Sequence, residues 1–155
     1  MKKKSLAVKK TTHKSLLNYL KNSRINKVFS VFKNYLDKFL NNKSKIGVAI
    51  SGGPDSLALA FLTKCYLLKR NLDSKFFIVD HKLRKGSSEE AKSVKLLLKK
   101  YNIVCEILTW KGKKPNSNIQ NIARNKRYNL LKKASERNNI KHLLIGHHLD
   151  DLYEN

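Results

Sequence analysis

From residue 14 to residue 40, apolar side chains return every three to four positions, at Leu16, Leu17, Leu20, Ile25, Val28, Phe29, Phe32, Tyr35, Leu36, Phe39 and Leu40. That spacing marks a helical face. Lysines occupy the opposite face, so the stretch reads as one helix or a broken pair, closed by Asn41-Asn42-Lys43-Ser44. The period then changes, and residues 45–50 form a continuous apolar run of the kind found in strands buried on both faces. A helical pattern follows from Asp55 or Ser56 to about Arg70, with Pro54 suited to its first turn. Residues 75–79, 103–110 and 141–146 read as three further strands. Two helices separate them, each announced by a capping-box pattern: Ser87-Ser88-Glu89-Glu90, with Val94, Leu97, Leu98 and Tyr101 facing inward, and Ser117 with Gln120, opening a helix over about 118–138. Residues 1–13 are polar, basic and aperiodic, as in a frayed tail. Strands alternating with helices predict an α/β fold: a doubly wound parallel sheet with right-handed crossovers and helices on both faces.

In such sheets ligands sit beyond the carboxyl ends of the strands, and the chemically suggestive segments fall at such ends. The first strand runs into Ser51-Gly52-Gly53-Pro54-Asp55-Ser56. Small residues let backbone amides approach a polyphosphate, and the start of the following helix favours negative charge at the same place. A Walker loop requires a lysine, and none lies between Lys45 and Lys64; a dinucleotide fingerprint requires a third glycine. ATP is the natural candidate, held by the amides of residues 52–56 and the hydroxyls of Ser51 and Ser56, and the alternative is a tight Gly-Gly turn with Ser51 or Asp55 as an ordinary helix cap. Asp55 either acts through Mg²⁺, pins the loop, or complements the helix dipole. Asp80-His81 follows the second strand, where a nucleotide site contacts sugar or base, or where an aspartate makes a turn. Arg124 and Arg127 lie one turn apart on a helix face, suited to phosphate or transition-state charge, or simply solvated. After the fourth strand, Asp150 and Asp151 offer ligands for Mg²⁺ and His147 a proton carrier near neutral pH, although His147-His148-Leu149-Asp150-Asp151 also suits a transition metal or a capped helix start.

Charge sharpens this picture. With 34 Lys+Arg against 11 Asp+Glu, the 155-residue chain carries a formal net charge of +23, and residues 1–45 hold 13 basic residues and a single acid, Asp37. Either a polyanion such as nucleic acid is bound, or coding bias toward lysine produced the excess. Cys65 and Cys105 lie in apolar contexts without paired spacing, which points to reduced core thiols. No apolar stretch is long enough to cross a bilayer, and the Lys2-Lys3-Lys4 start leads into no signal-type core, so a cytoplasmic protein with no membrane partner is expected.

Ser51-Gly52-Gly53-Pro54-Asp55-Ser56 resembles the signature loop of the PP-loop ATP pyrophosphatases. Three more segments are similar to those of tRNA(Ile)-lysidine synthetases, in that family's order: Val79-Asp80-His81-Lys82-Leu83-Arg84, Ala123-Arg124-Asn125-Lys126-Arg127-Tyr128, and the run from Gly146 to Asn155 that carries His147, His148, Asp150 and Asp151. The resemblance implies a Rossmann-like PP-loop domain over residues 25–155 behind a basic extension at 1–24. It also implies that the family's last strand and helix and its C-terminal tRNA-binding domains lie outside this sequence. By the same resemblance the chain adenylates C2 of the wobble cytidine of an isoleucine tRNA with ATP and Mg²⁺. Free L-lysine then displaces AMP to give lysidine. Ser51, Gly52, Gly53, Pro54, Asp55, Ser56, Asp80 and His81 would bind nucleotide; Asp55, Arg124, Arg127, His147, Asp150 and Asp151 would serve catalysis, with Asp55, Asp150 and Asp151 on the metal and a homodimer as a further assembly. Two rivals are a tRNA-thiolating PP-loop enzyme, which would lean on cysteines, and a non-catalytic RNA- and ATP-binding remnant.

Overall fold

A computed structural model describes residues 13–112 and 117–146. The chain runs α1 (His13–Asn18), a 3₁₀ turn (Tyr19–Lys21), α2 (Ser23–Leu36), β1 (Ile46–Ile50), α3 (Pro54–Arg70), β2 (Ser74–Asp80), α4 (Ser87–Lys99), β3 (Cys105–Thr109), α5 (Ile119–Arg137) and β4 (His142–Ile145). The four strands are parallel in the order β3-β2-β1-β4. β1 lies inside the sheet, which explains why all five of its residues are buried and why it reads as an unbroken apolar run.

Alternation along the strands divides the interior into two cores. Ile46, Val48, Ile50, Phe76, Ile78 and Cys105 point to one face and pack beneath the helices that precede β3, with Leu16, Leu20, Phe29 and Leu36 from the N-terminal helices and Ala60 and Tyr66 from α3. Ala49, Phe77 and Leu108 point to the other face and meet Leu131 and Ala134 of α5. Full burial of side chains such as Phe29, Phe77 and Leu131 contributes about 1.5–3 kcal/mol each. Tyr66 is buried with its hydroxyl donating to Asp37 Oδ1 at 2.8 Å, and Asp37 also pairs with Lys33 at 2.7 Å, so α2 and α3 are tied by a polar clasp as well as by packing.

The broken pair is the reading that holds for residues 14–40, and other local expectations are corrected. The N-terminal helix is broken, and α2 restarts where the Asn22 side chain accepts from the N–H groups of Arg24 and Ile25. Leu16 and Leu20, which precede α2, pack into the first core. Val28, Tyr35 and Phe39 face outward, as does Leu97, because apolar residues wrap more of these helices than the sheet covers. Neither capping box forms: α4 starts from Gly86 and α5 from Asn118, both with positive φ and without a side-chain cap. The serines of the first box have another partner.

Candidate nucleotide-binding site

The strand order reverses beside β1: α3 leaves β1 over one face, and α5 reaches β4 over the other. Their carboxyl ends therefore diverge at a topological switch point, which opens a crevice. A cavity of about 250 Å³ occupies it, walled by Ser51, His81 and Arg84 from the loops, Ser56 from the start of α3, Glu90 and Val94 from α4, Arg127 and Leu131 from α5, and Gly146 after β4.

The loop after β1 is built around one hydroxyl. Ser56 is 2% exposed, and its Oγ accepts from the N–H groups of Ser51 and Gly52, each at 3.2 Å, and from Ser51 Oγ at 3.1 Å, while donating to the Gly53 carbonyl at 2.9 Å. Ser56 is thus committed to shaping the loop in this conformation, and the exposed Ser51 hydroxyl faces the crevice side. Gly52 has φ +94°, a left-handed value open to glycine, and a Cβ there would come within 3.0 Å of Val94. Pro54 occupies the first helical turn and has no N–H to satisfy. Across the crevice, a Cβ on Gly146 would lie 3.2 Å from Ser56 N and 3.3 Å from Ser56 Cα, so backbone meets backbone where the helix amides emerge. This is a cradle whose space a side chain would fill, and its donors suit an anion. Asp55 is exposed on the first turn of α3 beside it.

Asp80 is placed differently from its neighbour. It is 3% exposed, and its carboxylate accepts from Ser88 Oγ at 2.6 Å, Ser87 Oγ at 2.8 Å and Lys82 N at 3.1 Å. Burial pushes its pKa up, but those donors outweigh burial and hold the carboxyl below its ordinary value. Asp80 organises the β2–α4 loop and does not line the cavity. The capping-box serines are consumed in this task. Next to it His81 does line the cavity, with Nδ1 accepting from Leu83 N at 3.2 Å. Burial first, then the charges of Arg127 and Arg84, lowers its pKa. A neutral imidazole whose Nδ1 accepts must carry its proton on Nε2. His81 is therefore a hydrogen-bond donor toward the crevice rather than a base. Between these two anchors Lys82 takes φ +51°, a left-handed value held by the pair of bonds.

Arg127 reaches the cavity, whereas Arg124, half-buried one turn earlier, is not on its wall. His147, Asp150 and Asp151 lie outside the described residues. Sequence reasoning left Arg84, Glu90 and Gly146 unassigned, although the small residue ending β4 beside the loop was a readable signal. Cys65 and Cys105 are buried in the first core, and burial raises their thiols to about 11 and about 12, so neither is a thiolate at neutral pH.

A profile of the PP-loop domain matches residues 13–155. The chain belongs to the PP-loop domain family. It is similar to the tRNA(Ile)-lysidine synthase of Bartonella quintana, with 40% identity over 112 residues, covering 71% of this chain and 24% of that protein. It is likewise similar to that of Wolbachia sp. subsp. Brugia malayi, with 37% identity over 127 residues, 81% of this chain and 30% of the relative. The chain thus spans about a quarter to a third of these curated relatives. Among solved structures, a U34-tRNA thiolase from Methanococcus maripaludis, determined with its [4Fe-4S] cluster, shares the PP-loop fold: TM-score 0.63 and 24% identity over 82% of this chain and 46% of that one. The α/β fold and the parallel sheet expected from the sequence agree with this placement in the family. Among the described residues no helix is long and apolar enough to cross a membrane.

Proposed function

We propose that the PP-loop cradle binds ATP and that the chain takes part in lysidine formation on an isoleucine tRNA in the cytoplasm. The observation that carries this reading is the loop clamped by the buried Ser56 hydroxyl at the mouth of the switch-point crevice, with Gly146 held against the same helix start. In this reading the N–H groups of Gly53, Asp55 and Ser56 and the Ser51 hydroxyl receive the β and γ phosphates. His81 donates from Nε2 to the nucleotide, and Arg127 meets the charge that develops as pyrophosphate leaves. Arg124, on the same helix, supports the RNA or phosphate side.

Mg²⁺ bound by Asp55, Asp150 and Asp151 would neutralise phosphate charge. Adenylating C2 of the wobble cytidine makes that oxygen a good leaving group, and the free lysine amine, with its proton passed to His147, displaces AMP. The basic surface supplies phosphate contacts to tRNA. Thiolation is the runner-up, and the protonated, buried state of Cys65 and Cys105 counts against it.

The test is to incubate the chain with labelled ATP, isoleucine tRNA and either lysine or a sulfur donor. AMP release that requires lysine, with lysine incorporated into RNA, is expected. Release that requires the sulfur donor would transfer the reading to thiolation, and RNA retention without ATP turnover would reduce the chain to a binding remnant.

A further inference from the structure

Glu90 is out of keeping with its surroundings. Among the described residues lining the cavity it is the only carboxylate, and the other polar side chains of a half-apolar wall are Arg84, Arg127, His81 and three serines. A carboxylate there repels a phosphate unless it has a second task. Its partner shows one: Arg84 Nη2 donates to Glu90 Oε2 in an ion pair whose side chains remain 66% and 52% exposed.

The two residues are held differently. Arg84 extends from the loop that Asp80 and His81 pin through Lys82 and Leu83, so its backbone is fixed. Glu90 stands in the first turn of α4, its N–H bonded to the Gly86 carbonyl. An exposed ion pair contributes little net stability and is readily exchanged. A guanidinium also accepts a phosphate through the same planar fork that it offers a carboxylate.

We propose that Glu90 is a built-in competitor for the nucleotide: it parks Arg84 on the cavity wall, and a phosphate oxygen of the incoming ATP displaces it and takes over the guanidinium. Released from Arg84, the Glu90 carboxylate turns to solvent at the helix N-terminus, where its charge is favourable. The exchange lowers affinity for nucleotide and keeps Arg84 from holding stray anions. This inference rests on the ATP reading above and adds to it a residue pair that sets affinity.

The experiment is a double-mutant cycle read by calorimetry with the β,γ-imido analogue of ATP and Mg²⁺, using the whole chain and checking each variant's fold by circular dichroism. Glu90→Gln should bind about three- to fivefold more tightly than wild type, and Arg84→Gln at least about tenfold more weakly. In the Arg84→Gln background, Glu90→Gln should gain less than about twofold, the part due to simple charge repulsion at an exposed site. Arg84→Lys, which keeps charge without the fork, should shrink the Glu90→Gln gain and serves if Arg84→Gln does not fold. Weaker or unchanged binding by Glu90→Gln overturns the proposal, as does a gain of the same size with and without Arg84. Failure of wild type to bind the analogue overturns the nucleotide reading itself, and this inference with it.

Discussion

Replacing Ser56 by alanine removes one oxygen from the centre of the PP-loop. That hydroxyl makes four contacts at 2.9–3.2 Å, three accepted and one donated. A hydroxyl has two acceptor sites and one donor, so about three of these act as full hydrogen bonds. At about 1 kcal/mol net for each, the loss is about 2–3 kcal/mol, because the amides of Ser51 and Gly52 lose their acceptor and the Gly53 carbonyl keeps only the Leu57 N–H. For a domain of this size that corresponds to a fall in Tm of roughly 4–12 °C. Hydrogen exchange at the Ser51 and Gly52 amides should accelerate in step, and affinity for an ATP analogue should fall by about 10- to 100-fold, since the donors are no longer preorganised. Ser51→Ala is the control: it removes a single 3.1 Å contact from an exposed residue and should shift Tm by less than about 2 °C. If Ser56→Ala keeps the wild-type Tm, amide protection and nucleotide affinity, the reasoning that this hydroxyl builds the loop is refuted.

Other positions give independent checks. Gly146→Val should weaken nucleotide binding and cost about 1–3 kcal/mol of stability in denaturant unfolding, because its side chain would press on the Ser56 backbone, 3.2 Å from the first added carbon; Gly146→Ala, needing a shift of only tenths of an ångström, should be far milder. Asp80 has a folded pKa below its unfolded one, so its contribution is present above about pH 4 and is lost as pH falls through the folded value; Asp80→Asn should flatten that acid limb in urea melts recorded against pH. His81, also depressed, contributes fully above about pH 6.5 and less as pH falls through its lower folded value, since a protonated Nδ1 cannot accept from Leu83; an NMR titration should find its midpoint below that of a free histidine, and a midpoint above would contradict the tautomer assigned here. Cys65→Ala and Cys105→Ala should leave lysine-dependent AMP release intact, whereas its loss would favour a sulfur-transfer role.

The sheet was legible because its strands differ in kind. β1 reads as an unbroken apolar run since both faces are covered, and the polar punctuation at Ser51 and Asp80 falls where β1 and β2 end. The carboxyl edge of the sheet was legible as the ligand side, but the crevice itself depends on the strand order, which the sequence pattern does not set. Burial on α2 was not legible: Val28, Phe29, Phe32 and Tyr35 all satisfy a helical period, and only the position of α3 decides that Phe29 is buried while Tyr35 is exposed. The capping boxes misled for a related reason. Serine hydroxyls near a helix start serve whichever acceptor is nearest, and for Ser87 and Ser88 that is the Asp80 carboxylate, brought in from the preceding strand. Asp80 itself was indistinguishable in sequence from a ligand-binding aspartate, as nothing local announces that both its oxygens are occupied by its own loop. Glu90 reaches the cavity wall only through the turn at Gly86 that sets α4 beside the crevice.

Diffraction from the chain bound to a non-hydrolysable ATP analogue with Mg²⁺ tests the central claim most directly. Phosphate oxygens within about 3 Å of the main-chain nitrogens of Gly53, Asp55 and Ser56, with the nucleoside lying in the crevice between β1 and β4, are the predicted result. Phosphates held elsewhere on the basic surface, with the Ser51–Ser56 turn making no contact to them, would contradict it.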